Sequence, residues 1–258
     1  MVELVLGNQI VKIDAGELVG YKVDGYEVIH QKGSPGWRNS DTEMFPIIGP
    51  TNEACFKVET PKGIATQDQH GLLREMVYGR MEVTSTMATF KKEYFPGKVV
   101  KNSKYPNKSN VEFLSWPYNF SFLKAFKLSD AGLQIEFKIK GDKGMPYMLG
   151  YHPAFKVHSN NPEISANNTI VTLPEVLKAG SRALPVLNCN TITLVDEKKV
   201  EIKTQGFSNF MLWTEVSNML CVEPISFYPY AVSPYDLHSG FKIQETKEDI
   251  FKVHIKVI

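Results

Sequence analysis

Three short stretches of the chain carry side chains suited to proton transfer: "DQHGLLRE" at 68–75, "GYHPAF" at 150–155 and "CVEPISFYP" at 221–229. His152 stands beside Pro153 between aromatic residues. His70 is followed by Gly71 and, four residues on, by Arg74, while Glu223 ends the apolar run "NMLCV" just before Pro224. An imidazole titrates near neutrality and serves as acid, base or metal ligand. Glycine after a histidine lets the backbone turn or approach a ligand closely. A carboxylate closing an apolar run is either solvated or partly desolvated, and desolvation raises its pKa and makes it a better base. Taken singly, each group has a plainer reading: His152 a satisfied core histidine, Glu223 a solvated strand end, Arg74 half of a surface ion pair worth little. His30, His158, His238 and His254 are read as core or surface residues.

These groups acquire a chemistry only if the surrounding elements bring them together, and the surrounding grammar is that of strands. "GELVGYKVDGYEVIHQ" alternates around Asp24-Gly25, a pair suited to a tight hairpin because both positions tolerate positive φ. The pattern returns in "ACFKVETPKGIATQ", turning at Pro61 to Gly63, and in "FSFLKAFKLSDAGLQIEFKIKGD", turning at Ser129 to Gly132. "FKIQETKEDIFKVHIKVI" repeats it at the C-terminus. "TLPEVLKAG" predicts one short helix ended by Gly180. The Lys-, Pro- and Asn-rich "YFPGKVVKNSKYPNKSN" is read as a solvated loop. Strands at close spacing predict an all-β protein, a large antiparallel β-sandwich or barrel, with residues 1–258 as a single domain.

Composition narrows the partners. With 43% hydrophobic and 22% charged residues, the chain has the balance of a compact globular protein. A net charge of +1 gives no global field to attract nucleic acid or an anionic membrane. Cys55, Cys189 and Cys221 are too few and too scattered for a disulfide framework or a Cys-rich zinc site, which fits a reducing, cytoplasmic setting. No stretch reaches the roughly 20 apolar residues of a membrane span, and the N-terminus does not resemble a secretion signal.

In chain order, "TEMFPIIGP" at 42–50, "QHGLLRE", "VEFLSWPYNFSF" at 111–122, "GYHPAF" and "FMLWTEVSNMLCVEPISFYP" at 210–229 together resemble the aldose 1-epimerase (galactose mutarotase) family, in particular its branch that includes hexose-6-phosphate epimerase-like proteins. Leu72 and Leu73 replace the Phe-Ala of that branch's Gln-His-Gly-Phe-Ala-Arg motif. The resemblance implies a galactose mutarotase-like supersandwich with a sugar cleft on one sheet face, no metal and no organic cofactor, and a monomer or homodimer. It implies Glu223 as catalytic base, His152 as general acid, and His70 as a histidine that holds or helps protonate the ring oxygen. Arg74 falls on a motif arginine near the cleft, and Arg38, in "WRNSDTEMFP", on an arginine preceding the Phe-Pro segment. A further acidic sugar ligand, expected between the His-Pro and Glu-Pro segments, has no assigned position.

The implied reaction is anomeric interconversion by ring opening and closure, which needs an acid and a base on either side of the anomeric centre. A histidine kept protonated near neutrality and a carboxylate raised by partial burial suit those roles. Trp37, Trp116, Tyr151 and Trp213 are candidates to stack on a pyranose. Three of the four arginines, Arg38, Arg74 and Arg80 but not Arg182, lie between 38 and 80, which leaves a phosphate pocket open beside a neutral hexose site. Competing readings are a non-catalytic carbohydrate-binding relative, a polysaccharide-processing enzyme, and a mononuclear metal enzyme using two histidines and a glutamate.

Overall fold

The computed structural model describes residues 1–258. Turn residues fix the local hairpins where the sequence places them. Val23 pairs with Tyr26 across Asp24-Gly25, whose φ values are 51° and 78°. Thr60 pairs with Gly63, and Ser129 with Gly132. The helix Leu173–Ala179 starts with the Thr172 N–H donating to Glu175 Oε2 at 2.7 Å and ends at Gly180 with φ 61°.

The long hairpin Phe120–Ser129/Gly132–Gly141 lies in a nine-stranded antiparallel sheet. In order, that sheet runs Thr169–Thr172, Glu163–Ala166, Thr191–Val195, Lys199–Gln205, Asp249–Val257, Gly132–Gly141, Phe120–Ser129, Met87–Tyr94 and Gly79–Val83. A second, six-stranded sheet runs Leu184–Val186, Asn209–Trp213, Met219–Ile225, Gly150–Tyr151 and Glu43–Met44, with Ala154–Lys156 also on Met219–Ile225. The inner faces pack together through aromatic pairs such as Phe45 with Phe122 and Phe137 with Tyr151. One cluster of 53 buried residues runs through both sheets and the N-terminal strands, so the sheets share a core and form an all-β antiparallel sandwich.

Two expectations need correcting. "FKIQETKEDIFKVHIKVI" is no hairpin: Lys242–Ile243 pairs with Pro146–Tyr147, while Asp249–Val257 inserts between Lys199–Gln205 and Gly132–Gly141. Local alternation identifies a strand but not its partner. The segment read as a solvated loop is exposed at Phe95–Val99, but Asn102 and Ser109 are buried. Asn102 Nδ2 donates to Asp68 Oδ2 at 2.9 Å and Lys104 Nζ to Asp68 Oδ1 at 2.9 Å, so the segment folds back onto the stretch that carries His70.

Candidate active site

Strand alternation selects which residues face the cleft. On Met219–Ile225, buried throughout, Leu220 and Val222 point into the shared core while Met219, Cys221 and Glu223 point out onto the opposite face. The neighbouring strand does the same, burying Phe210 and Leu212 and presenting Met211 and Trp213. Across the other neighbour, Gly150 pairs with Ile225 and Ala154 with Cys221, which sets His152 opposite Glu223. Pro153 interrupts that strand because it has no N–H to donate. The His152 N–H donates to Thr42 O at 2.8 Å, and the ring Nε2 lies 3.2 Å from Glu223 Oε1. The His152–Glu223 pair is thus a product of sheet register.

His70 arrives from a loop. Its φ of 75° and that of Gly71, 69°, bend the chain so tightly that a Cβ on Gly71 would stand 2.3 Å from Phe45 O. The loop is tied to the 45–48 segment by the His70 N–H to Ile48 O, 2.9 Å, and the Leu73 N–H to Phe45 O, 3.0 Å. Its imidazole meets His152 edge to face, 5.6 Å between centroids, with Nδ1 buried and without a hydrogen-bond partner. The turn Leu72–Glu75 buries Leu72 and Leu73 and leaves Arg74 on the cleft, 3.8 Å from Glu75.

Glu223, His152, His70, Arg74 and Arg38 all line one cleft of about 700 Å³. Arg38 sits on its rim, 65% exposed, paired with Glu215 at 2.6 Å and lying over the Trp213 ring. Trp213 meets His152 edge to face. The other aromatic candidates do not reach the cleft: Trp116 and Tyr151 are core residues, and Trp37 donates to Ser40 outside it. Of the three arginines between 38 and 80, Arg38 and Arg74 share the cleft, whereas Arg80 lies on the exposed edge strand; Arg182 sits against Tyr230. Lys104 and Lys108 line the cleft instead. Their loop looks the same in sequence whether or not it folds back. Glu215 is the only carboxylate besides Glu223 on the cleft wall. His30, His158, His238 and His254 lie outside it, the first two bonded to backbone carbonyls.

The electrostatics reverse one expectation. Burial pushes Glu223 well above the ordinary carboxylate range. Burial, then the Arg74 charge, lowers His152 to about 4, so the free site does not hold an isolated imidazolium near neutrality. His70 is also held low by burial, then by His152, Arg74 and Lys104. The His152–Glu223 pair therefore keeps one dissociable proton, which burial favours on the carboxyl. Among metal-binding sets, the groups that converge are His152, Cys221 and Glu223, with ligand atoms within 4.8 Å of one another. Cys221 takes the place that the two-histidine reading gave to His70.

Residues 52–209, more than half of the chain, match the family described as aldose 1-epimerase. The chain belongs to the aldose 1-epimerase family. Its aldose 1-epimerase match is accompanied by curated relatives, among them protein LacX (plasmid) of Lactococcus lactis subsp. lactis, 27% identical over 148 residues. That alignment covers 54% of this chain and 44% of LacX, so it spans less than half of the relative's length. A galactose mutarotase-like protein from Lactobacillus casei ATCC 334 superposes with a TM-score of 0.80 at 17% identity, covering all of both chains. A galactose mutarotase related enzyme from Lactobacillus acidophilus gives 0.74 at 16% identity, covering 99% of this chain and 97% of the other. At such identities these structures speak to the fold alone: the sandwich is mutarotase-like.

Proposed function

We propose that the chain is an aldose 1-epimerase that interconverts the α and β anomers of a hexose or related aldose. The observation that carries this reading is the 3.2 Å contact between His152 Nε2 and Glu223 Oε1 on the floor of the cleft. The two oxygens on an anomeric carbon lie closer together than a hydrogen bond is long, so adjacent acid and base groups can address both.

With the shared proton on the imidazole, Glu223 takes the O1 hydroxyl proton as the C1=O1 bond forms, the C1–O5 bond breaks, and His152 protonates O5. The aldehyde rotates about C1–C2. O5 then attacks the other face of C1, returning its proton to His152 while Glu223 reprotonates O1. Burial favours the neutral forms of both side chains, which is the protonation state that accompanies the open-chain aldehyde. The Arg74 charge makes imidazolium a stronger acid toward O5. The unpaired Nδ1 of His70 suits a hydrogen bond to the ring oxygen or a neighbouring hydroxyl. Glu215 is the acidic group available to sugar hydroxyls.

A second reading concerns the sugar alone. Arg74, Lys104 and Lys108 make the wall cationic in a chain that is nearly neutral overall, which favours a substrate with an anionic substituent such as phosphate. The test is the rate at which α-glucose, α-galactose and glucose 6-phosphate reach anomeric equilibrium, by polarimetry or exchange NMR. Acceleration by wild type that Glu223→Gln loses is expected. Saturable sugar binding without acceleration would instead identify a non-catalytic relative.

A further inference from the structure

The proposed chemistry leaves one group on the cleft floor idle. Cys221 lies two residues before Glu223 on the same strand, so both side chains face the same way, and it is 1% exposed. Its sulfur, a His152 ring nitrogen and a Glu223 oxygen all lie within 4.8 Å of one another, and the nitrogen that meets Glu223 is Nε2 at 3.2 Å. Ligands of a tetrahedral zinc, at Zn–N about 2.0 Å and Zn–S about 2.3 Å, stand roughly 3.5 Å apart. To reach that spacing no separation among the three atoms has to contract by more than about 1.3 Å. The fourth position then opens into the cleft that any ion must enter through. A nitrogen, a sulfur and an oxygen form a donor set that favours zinc over the hard cations magnesium and calcium.

We propose that Zn²⁺ binds His152 Nε2, Cys221 Sγ and the Glu223 carboxylate, with water or a sugar hydroxyl as fourth ligand, and thereby silences the acid–base pair. The ion takes the imidazole lone pair and the carboxylate at once. Binding releases the thiol proton and the proton shared by His152 and Glu223 to solvent, so affinity rises with pH. The inhibition rests on the proposed anomeric activity; the binding does not.

The test uses Co²⁺ as a spectroscopic stand-in, titrated into the full chain. One equivalent is expected to give a thiolate-to-cobalt charge-transfer band with tetrahedral d–d absorption, both removed by Zn²⁺. The band is expected to vanish in Cys221→Ser and survive in Cys55→Ser and Cys189→Ser, with circular dichroism establishing that each variant is folded. Glu223→Gln should keep the band while needing at least about tenfold more Co²⁺. A wild type without the band, or a band lost in Cys55→Ser but not in Cys221→Ser, overturns the site. In the activity arm, Zn²⁺ is expected to abolish anomeric acceleration and EDTA to restore it; activity unaffected by bound Zn²⁺ overturns the inhibition. A protein with the band but no activity toward any sugar keeps the metal site and removes only the epimerase reading.

Discussion

At the scale of single residues, the pair proposed to carry the chemistry also strains the fold. Glu223 is 2% exposed, and above its ordinary pKa of 4.5 the folded chain keeps a proton that the unfolded chain releases. Stability attributable to Glu223 therefore falls as pH rises past 4.5. His152 acts in the opposite sense. Between 6.5 and about 4 the unfolded chain binds a proton that the folded chain refuses, so its contribution is lost as pH falls through that window. Glu223→Gln is expected to lower kcat by at least about 10²-fold in the anomeric assay with sugar affinity largely retained. The same variant should melt higher than wild type at pH 8, by about 2–4 °C for each kcal/mol recovered. That advantage should disappear below pH 4.5, and an equal gain at both pH values would show that the gain is not ionic.

At the scale of elements, the strands beneath the site are held by a buried charge cluster. Lys124 occupies the inward row of Phe120–Ser129, among Phe120, Phe122 and Phe126, and is fully buried. It meets Asp41 Oδ2 at 2.7 Å and Glu43 Oε1 at 2.6 Å, and the Tyr151 hydroxyl donates to the same Asp41 oxygen. Asp41 and Glu43 flank Thr42, the residue whose carbonyl receives the His152 N–H. Lys124→Met leaves Asp41 without its cation and Glu43 with Lys92 alone, and is expected to cost about 3–5 kcal/mol, read by urea unfolding. Removing the one excess negative charge with Asp41→Asn in the same chain should recover much of it, because Lys92 Nζ still lies 3.8 Å from Glu43 Oε2. In "FSFLKAFKLS" a lysine in register with three phenylalanines and a leucine calls for a buried partner, but no local pattern identifies Asp41 and Glu43 as that partner. Glu223, His152 and His70 stand out in sequence only as candidates, through their neighbours Pro224, Pro153 and Gly71, and it is the family resemblance that groups them; the structure brings all three to one cleft. Lys104 was not legible, since a lysine in a Pro- and Asn-rich loop gives no sign that Asp68 will draw it back. Nor was the neutral state of His152, which depends on burial that no local pattern encodes.

At the scale of the whole molecule, hairpins follow from their turns, whereas sheet order depends on contacts distant in sequence. That is why the hairpin at 129–132 was readable and the place of Asp249–Val257 was not. The nine-stranded sheet ends in Gly79–Val83, exposed along its whole length and irregular between Arg80 and Val83, a distortion that discourages further strand addition. Its middle is held differently. Asp249–Val257 joins Gly132–Gly141 to Lys199–Gln205, and all the other strands of that sheet precede it in the chain. During synthesis, Gly132–Gly141 leaves the ribosome with one of its edges unpaired and waits roughly 5–20 s at ordinary elongation rates for the strand that covers it. The two portions of the nine-stranded sheet can lock together only after translation has passed Val257. Nascent chains stalled before Asp249 are expected to be cut by protease throughout, and chains stalled with Val257 clear of the exit tunnel to resist. Protection acquired before Asp249 emerges would mean that the sheet assembles from one side without its central strand.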